Sequence, residues 1–581
     1  MPNFALSKYC WRILSLSYVA LLCCMQLETI AGHVPRYSNP STAWISSGVT
    51  RTLRKPHSIF TGQNLLSNSI QPSKSSIMAS PIAVHKDTTA VKEDLHTSIV
   101  APHNCDSTGR FCWKPLAGLD QQMESLYASI TARDPHQTKF LQAFREMLES
   151  LRPVFLKDSK YLPILAVIAE PERSYSFRVP WLDDKHQQHV NRGYRVQYSS
   201  ALGPYKGGLR FHPSVTMSVM KFLGFEQIFK NSLTGLTLGG AKGGADFDIK
   251  GKSDAEVLRF CQSFMISLAR HIGHNEDIPA GDIGVGPREI GYLYGQYKRM
   301  TSQFEGCLTG KNVKWGGSYV RPESTGYGVV YFANEVLKCL VNRLKQPLYR
   351  SVCGKDSQGK TLEGSRCVVS GSGNVAQHCA AKLLAMGAKV ITLSDSTGFI
   401  YEEKGFTPSK LETLMHIKNV KRKSLREYEK ASKTATFISK EKPWNIACDY
   451  AFPCANENDI DETHADTLIK QDCKMVVEGA NMPLTNEAIS LFKQNDVTLC
   501  PAKAANSGGV TVSGFEMAQN SMRLYWTFDD VDKQLQAHMK DVFLRCKNAA
   551  EEYDSPLDLQ LGANAAGFIK VADSLVEQGC V

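Results

Sequence analysis

The stretch Arg366-Cys367-Val368-Val369-Ser370-Gly371-Ser372-Gly373-Asn374-Val375-Ala376 decides the fold class. Its first five residues form a short apolar run without polar alternation, the signature of a strand covered on both faces. Gly371, Gly373 and Ala376 then make G-x-G-x-x-A. The first glycine allows the tight turn, the second lets backbone approach a pyrophosphate, and the small Ala376 lets helix and strand pack closely. The segment 378–385 reads as the helix whose N-terminus offers N–H groups to phosphate. Lys389-Val390-Ile391-Thr392-Leu393-Ser394-Asp395 reads as a second strand. Strand, glycine turn, helix and strand make one mononucleotide-binding half, and the apolar runs at 474–477 and 497–500 continue the alternation. Any strand-to-helix turn can carry two glycines; the strand, the helix and the downstream acid together select dinucleotide binding.

The end of the second strand bears on which dinucleotide. Asp395 lies 24 residues after Gly371, between Ser394 and Ser396. A bare carboxylate favours the ribose diol of NAD, whereas hydroxyls with nearby cations favour a 2′-phosphate. Lys418, Lys421, Arg422 and Lys423 are candidate cations, although each is equally well read as part of a solvated face. The reading favours NADP over NAD.

Upstream, Lys206, Lys230 and Lys242 fall within 37 residues, in Pro204-Tyr205-Lys206-Gly207-Gly208-Leu209-Arg210, Gln227-Ile228-Phe229-Lys230 and Gly239-Gly240-Ala241-Lys242-Gly243-Gly244. Single lysines are ordinarily solvated. Glycines on both sides strip away bulk and let a small anion reach the ammonium groups. Clustered ammonium groups in a dry cleft repel one another, so one can fall toward neutral and act as a base. Asp282, in Pro279-Ala280-Gly281-Asp282, is either a turn residue in a loop or a proton donor and acceptor opposite Lys242. Ser513, in the run 505–513, either caps a helix or presents a hydroxyl to the same cleft. The glycine-rich segment 203–244 is expected to be loops around one helix over 215–232. Helical spacing begins near Leu119 and continues through 140–151, and strands are expected at 174–181 and 190–198. A helix over 326–344 opens the second unit.

The chain of 581 residues has room for two to four domains. Ordinary apolar and charged content, 43% and 21%, excludes a disordered chain and a multi-span membrane protein. The net charge of +10 is unevenly placed: residues 1–92 hold nine Lys/Arg against Glu28 and Asp87, leaving only +3 beyond them. That argues against nucleic acid as a partner. Lys8 and Arg12 precede an apolar run over 13–27, too short for a spanning helix and suited to a signal-like leader over 1–30. The following segment is rich in Ser and poor in acid to about residue 92, so 31–117 reads as a transit-like or disordered extension. A signal-like run before a transit-like one resembles the bipartite leaders of secondary plastids, with a mitochondrial presequence second; no stable membrane association of the mature protein is expected. Seventeen cysteines without CxxC pairs give no metal-ligand spacing, so no metal site is expected. Cys105 and Cys112 are spaced to bridge; Cys261, Cys339 and Cys379 sit in apolar patterns as small hydrophobes.

Taken together, YKGGLRFHPSV (205–215), GFEQIFKNSLTGLTLGGAKGGADFD (224–248), DIPAGDIGVGPREIGYLYGQY (277–297), RPESTGYG (321–328), GSGNVA (371–376), EGANMP (478–483) and KAANSGGVTVSGFEMAQNS (503–521) resemble the hexameric glutamate dehydrogenases, in their short-subunit NADP-type branch. The resemblance covers about 118–581. It implies that Lys206 and Ser513 hold the substrate's side-chain carboxylate, while Gln227, Lys230 and the Gly281 backbone surround its α-carboxylate. It implies that Lys242 polarises the carbonyl and activates water, and that Asp282 shuttles protons to and from the amino group. Thr325, Asn374 and Val375 match cofactor contacts beside Gly371, Gly373, Ser394, Asp395 and Ser396, and Asn481 matches a residue near the nicotinamide. The implied reaction is reversible oxidative deamination of L-glutamate to 2-oxoglutarate and ammonium, by a homohexamer.

Two features depart from the family pattern: Ser372 stands where many relatives carry a bulkier residue, and the segment 341–365, read as an exposed loop at 353–360, is longer. The expected architecture is a two-domain α/β subunit. A substrate and oligomerisation domain spans 118–315, a Rossmann-like doubly wound dinucleotide domain spans 316–556, and a C-terminal helix over 557–581 returns to the first domain. The active site lies in the cleft between them. The alternatives are a dehydrogenase for another amino acid, which would not need Lys206 with Ser513, and a catalytically silent scaffold subunit of the same fold.

Overall fold

The computed structural model describes residues 104–105, 111–112, 118–344 and 362–580. The signal-like leader, nearly all of the 31–117 extension, the Cys105 and Cys112 side chains and the 353–360 loop lie outside the described residues. What is described is a two-domain α/β chain built on two large sheets, with Asn104–Cys105 and Phe111–Cys112 forming a separate two-stranded antiparallel pair.

The downstream sheet has seven strands, ordered Thr436–Ser439, Gly398–Tyr401, Lys389–Asp395, Arg366–Val369, Tyr450–Phe452, Met475–Val477 and Thr498–Cys500. The last five in that order run parallel, and the first two add as an antiparallel edge. Chain order reverses between Arg366–Val369 and Tyr450–Phe452: the chain goes from the former to Lys389–Asp395 on one side and later returns on the other. Such a switch point opens a crevice at the carboxyl ends of the two strands, where open α/β sheets bind ligands. Cys367, Val368, Val369, Val390, Ile391 and Leu393 are fully buried. Helices cover both faces, which is why these strands read as apolar runs rather than alternations.

The upstream sheet has five strands, ordered Arg173–Leu182, Gln188–Ser199, Gly240–Ala245, Tyr205–Phe211 and Asp277–Gly281. The first three pair antiparallel, whereas Tyr205–Phe211 runs parallel to both of its neighbours. This corrects the loop expectation for 203–244: both glycine-rich segments are fully buried strands, flanking a helix over Met217–Thr234. The reason is close packing. A Cβ on Gly207 would land on the carbonyl oxygen of Ala241 in the adjacent strand, and one on Gly243 would collide with the Tyr194 backbone and the Leu209 side chain. Local composition signals turns, but here the absence of side chains lets backbone and buried cations crowd together.

The helix Leu559–Glu577 packs along Met217–Thr234, with Gly567 against Phe229 and Phe568 near the rings of Phe155, Tyr161 and Phe229. Asp558 caps it by accepting from the Leu561 N–H. Burying a side chain such as Phe568 contributes roughly 1.5–3 kcal/mol. This helix holds the first lobe's helical layer to the end of the chain. Among the described residues no helix is long and apolar enough to cross a membrane.

Candidate active site

Lys206, Gly208 and Arg210 are two residues apart in one strand and therefore share a face. Lys242 stands on the next strand and Asp282 directly follows the strand Asp277–Gly281. Gly208 makes the grouping possible, because a Cβ there would press on the Asp282 side chain. Lys242 Nζ lies 3.4 Å from Asp282 Oδ1, and Arg210 Nε donates to Asp282 Oδ2 at 2.8 Å. Burial pushes the Lys242 ammonium below its ordinary value, opposed by Asp282 and assisted by Arg210. Asp282 is partly shielded, with 18% of its side chain exposed, yet Lys242 and Arg210 hold its carboxyl well below the usual carboxylate range.

Lys230 and Gln227 share a face of Met217–Thr234. Lys230 Nζ donates to Asn481 Oδ1 at 2.7 Å, so a residue of the upstream lobe meets the loop after the strand Met475–Val477. Burial and the neighbouring Lys242 push the Lys230 ammonium down to about 7. Gln227 Nε2 donates to Asn231 Oδ1 at 2.7 Å. Gly281 ends its strand with its α-hydrogen toward the Val285 carbonyl, where a Cβ would not fit.

A second cationic pole surrounds Lys206, which is 1% exposed. Its Nζ donates to Thr309 Oγ1 at 2.9 Å, Thr309 donates onward to Ser513 Oγ at 3.1 Å, and Arg321 Nε donates to the same oxygen at 2.9 Å. Ser513 is not a cap. It lies inside the helix Gly508–Met522, whose cap position is Ser507, and with two donors on its oxygen it keeps its own proton to offer. Burial pushes Lys206 well below the ordinary lysine value, with Arg321 and Arg195 adding to the effect. The neighbouring charges are already matched: Arg195 pairs with Asp277, and Lys311 lies 2.8 Å from Glu516. Lys206 and Arg321 are therefore the surplus charge. Thr309 and Arg321 carry no signal of this role in the sequence. RPESTGYG contains Arg321, but nothing local marks an arginine that reaches a serine 192 residues later.

The cofactor candidates gather at the switch point. Gly371 has φ +87°, and a Cβ there would meet the Cys454 carbonyl and Ala455 Cα. A Cβ on Gly373 would enter open space, and the helix Asn374–Ala385 has no side-chain cap, so its first N–H groups face a cradle of backbone. Gly371 N donates to Ser394 Oγ at 2.7 Å, joining the turn to the second strand. Asn374 Nδ2 donates to the Pro322 carbonyl at 2.6 Å, and Thr325 packs against Gly509. Asp395 is differently engaged from a free ribose acceptor: Oδ1 takes the Thr397 N–H and hydroxyl, and Oδ2 takes Leu425 N and Lys418 Nζ at 3.1 Å. It anchors Lys418. Ser396, Lys421, Arg422 and Lys423 are exposed beside it. Among the described residues no group of His, Cys, Asp or Glu is arranged to hold a metal ion.

A family model described as Glutamate/Leucine/Phenylalanine/Valine dehydrogenase matches residues 316–579, and one described as Glu/Leu/Phe/Val dehydrogenase, dimerisation domain, matches residues 171–299. An NADP-specific glutamate dehydrogenase of Giardia intestinalis is 52% identical over 464 residues, 79% of this chain and 99% of its own length. Its counterpart from Chlorella sorokiniana is 54% identical, over 79% of this chain and 84% of its own length. The crystal structure of Plasmodium falciparum glutamate dehydrogenase superposes with a TM-score of 0.76 at 54% identity, covering 82% of this chain and all of the other.

Proposed function

This chain belongs to the glutamate/leucine/phenylalanine/valine dehydrogenase family, and from that premise we propose that it is an NADP-dependent glutamate dehydrogenase interconverting L-glutamate with 2-oxoglutarate and ammonium. The observation that carries the substrate choice is the pair of cationic poles. Lys206 with Arg321 and Ser513 make one, and Lys230 with Lys242 make the other. Surplus cations wholly or partly shielded from water at two points call for an anion at each, which is a dicarboxylate. A branched or aromatic amino acid would leave the buried Lys206 and the half-buried Arg321 unmatched.

Lys230, Gln227 and the Gly281 backbone take the α-carboxylate, while Lys206 and Ser513 take the side-chain carboxylate and fix the reactive carbon between them. Asp282 accepts the proton that the α-ammonium must release. Lys242, held low by burial, takes a proton from the attacking water and returns it to the departing nitrogen as the carbinolamine collapses to carbonyl and ammonium. Gly371, Gly373, Asn374 and Val375 fit the cofactor's pyrophosphate, with Thr325 and Asn481 toward its nicotinamide end and Ser394, Asp395-anchored Lys418 and Ser396 toward its 2′-phosphate. Bound there, NADP supplies the hydride acceptor.

The assembly is a homohexamer on this reading, supported by the motif resemblance and the matched dimerisation-domain model. The leader directs it to an organelle of plastid type, with the mitochondrion second, supported by the composition of residues 1–92. The deciding assay follows reduced-cofactor absorbance with 2-oxoglutarate and ammonium, using NADPH against NADH. Faster oxidation of NADPH, abolished in Asp282→Asn, is expected. Oxidation with branched 2-oxo acids in place of 2-oxoglutarate would overturn the substrate, and a folded chain inert to both would leave only the scaffold reading.

A further inference from the structure

Asp282 is bound twice over by cations, and a carboxylate held that firmly is a poor proton acceptor. Arg210, which grips Oδ2, is itself shared: its Nη1 donates to Glu457 Oε1 at 3.0 Å, with the arginine side chain only 6% exposed. Glu457 belongs to the other lobe, on the loop after the strand Tyr450–Phe452 at the switch point. That loop includes Cys454 and Ala455, which lie against Gly371 of the dinucleotide turn. Glu457 also accepts from Lys139 Nζ at 2.9 Å, on the helix Thr138–Ser150. The charged groups around Asp282 are therefore Lys242 and Arg210 in contact and Lys230 nearby; those around Glu457 are Arg210 and Lys139.

We propose that Glu457 is a positioning residue for the reaction: by sharing the Arg210 guanidinium it loosens the hold on Asp282 and ties that carboxylate's basicity to the seating of the nucleotide lobe. A guanidinium facing one carboxylate delivers its field to that carboxylate; facing two on opposite sides, it is partly neutralised at each. The contact crosses between lobes, so Asp282 is relieved only when the loop next to the cofactor turn is in place. This rests on the reading of Asp282 as the proton acceptor.

The test uses full-length chains of Glu457→Gln, Glu457→Asp and Lys139→Met in glutamate oxidation, with Asp282→Asn alongside. Glu457→Gln keeps the hydrogen bond but not the charge, so kcat is expected to fall about threefold or more with KM for glutamate little changed, as the Asp282 carboxylate becomes a weaker base. The solvent deuterium isotope effect on kcat should rise, because proton transfer becomes slower relative to the other steps. Glu457→Asp should recover part of the loss, and Lys139→Met, which leaves Glu457 wholly to Arg210, should not lower kcat. An unchanged kcat and isotope effect in Glu457→Gln would overturn the proposal, as would a loss carried by the KM for NADP with no isotope signature, which is what a simple interlobe clamp produces. Full activity in Asp282→Asn would overturn the underlying reading instead.

Discussion

Lys230 and Asn481 meet across the two lobes, Nζ donating to Oδ1 at 2.7 Å. The contact places a cation, held down to about 7 by burial and by Lys242, beside the loop that follows a strand of the nucleotide sheet. One amine thus touches both the Lys242 pole, proposed above to take the α-carboxylate, and the second lobe.

Binding of 2-oxoglutarate should draw protons from solution. At pH 8 much of Lys230 is neutral, and an arriving carboxylate favours its charged form. Calorimetry in buffers of different ionisation enthalpy should show net proton uptake at pH 8, smaller at pH 6 and reduced in Lys230→Met. For folding, the unfolded chain binds this proton more tightly than the native one, so the group's contribution to stability rises from pH 7 toward 10.5 and falls as pH drops through that window. The Tm of Lys230→Met should vary less over pH 7–9 than that of the unsubstituted protein; an equal dependence would contradict the assignment.

Thr309→Val removes the hydroxyl between Lys206 and Ser513. The buried ammonium loses its acceptor, at a cost of about 1–3 kcal/mol, and both ends of the side-chain subsite lose their relative placement. KM for glutamate should rise by about tenfold or more on that scale, with KM for NADP unchanged. Steady-state kinetics with each substrate varied in turn separate the two.

Gly371→Ala strains a backbone at φ +87° and brings a methyl group against the Cys454 carbonyl. A penalty of about 1–3 kcal/mol is expected at such a position. It should appear as a lower Tm together with weaker NADP binding, whereas substrate binding measured without cofactor should be retained.

Lys418→Gln removes the cation that Asp395 holds at the end of the second strand. If that ammonium meets the 2′-phosphate, the ratio of kcat/KM for NADPH over NADH should drop by roughly tenfold, about the worth of one charged hydrogen bond. The NADH value should stay near its starting point, and a parallel fall with both cofactors would place Lys418 outside the phosphate site.

The dinucleotide half was legible because its signals are local. An apolar run, a glycine turn and a second apolar run describe Arg366–Val369, Gly371–Gly373 and Lys389–Asp395 nearly residue by residue, since period and turn chemistry act over a few neighbours. Lys206, Lys230, Lys242 and Asp282 could be nominated by residue type and flanking glycines. Their surroundings could not. Whether 205–211 and 240–245 are loops or central strands depends on the Ala241 and Tyr194 backbones that press on them, and those neighbours are unknown until the sheet exists. The same holds for Thr309 and Arg321, which complete a hydrogen-bonded cluster with a serine some 200 positions away, and for Glu457, which is linked to Asp282 through Arg210. Local patterns along the chain set the fold class and the inventory of charges. Tertiary structure decided which charges are matched and which are left in surplus, because burial and contact between distant segments set the energy of an ion, and neither is a property of the residue alone.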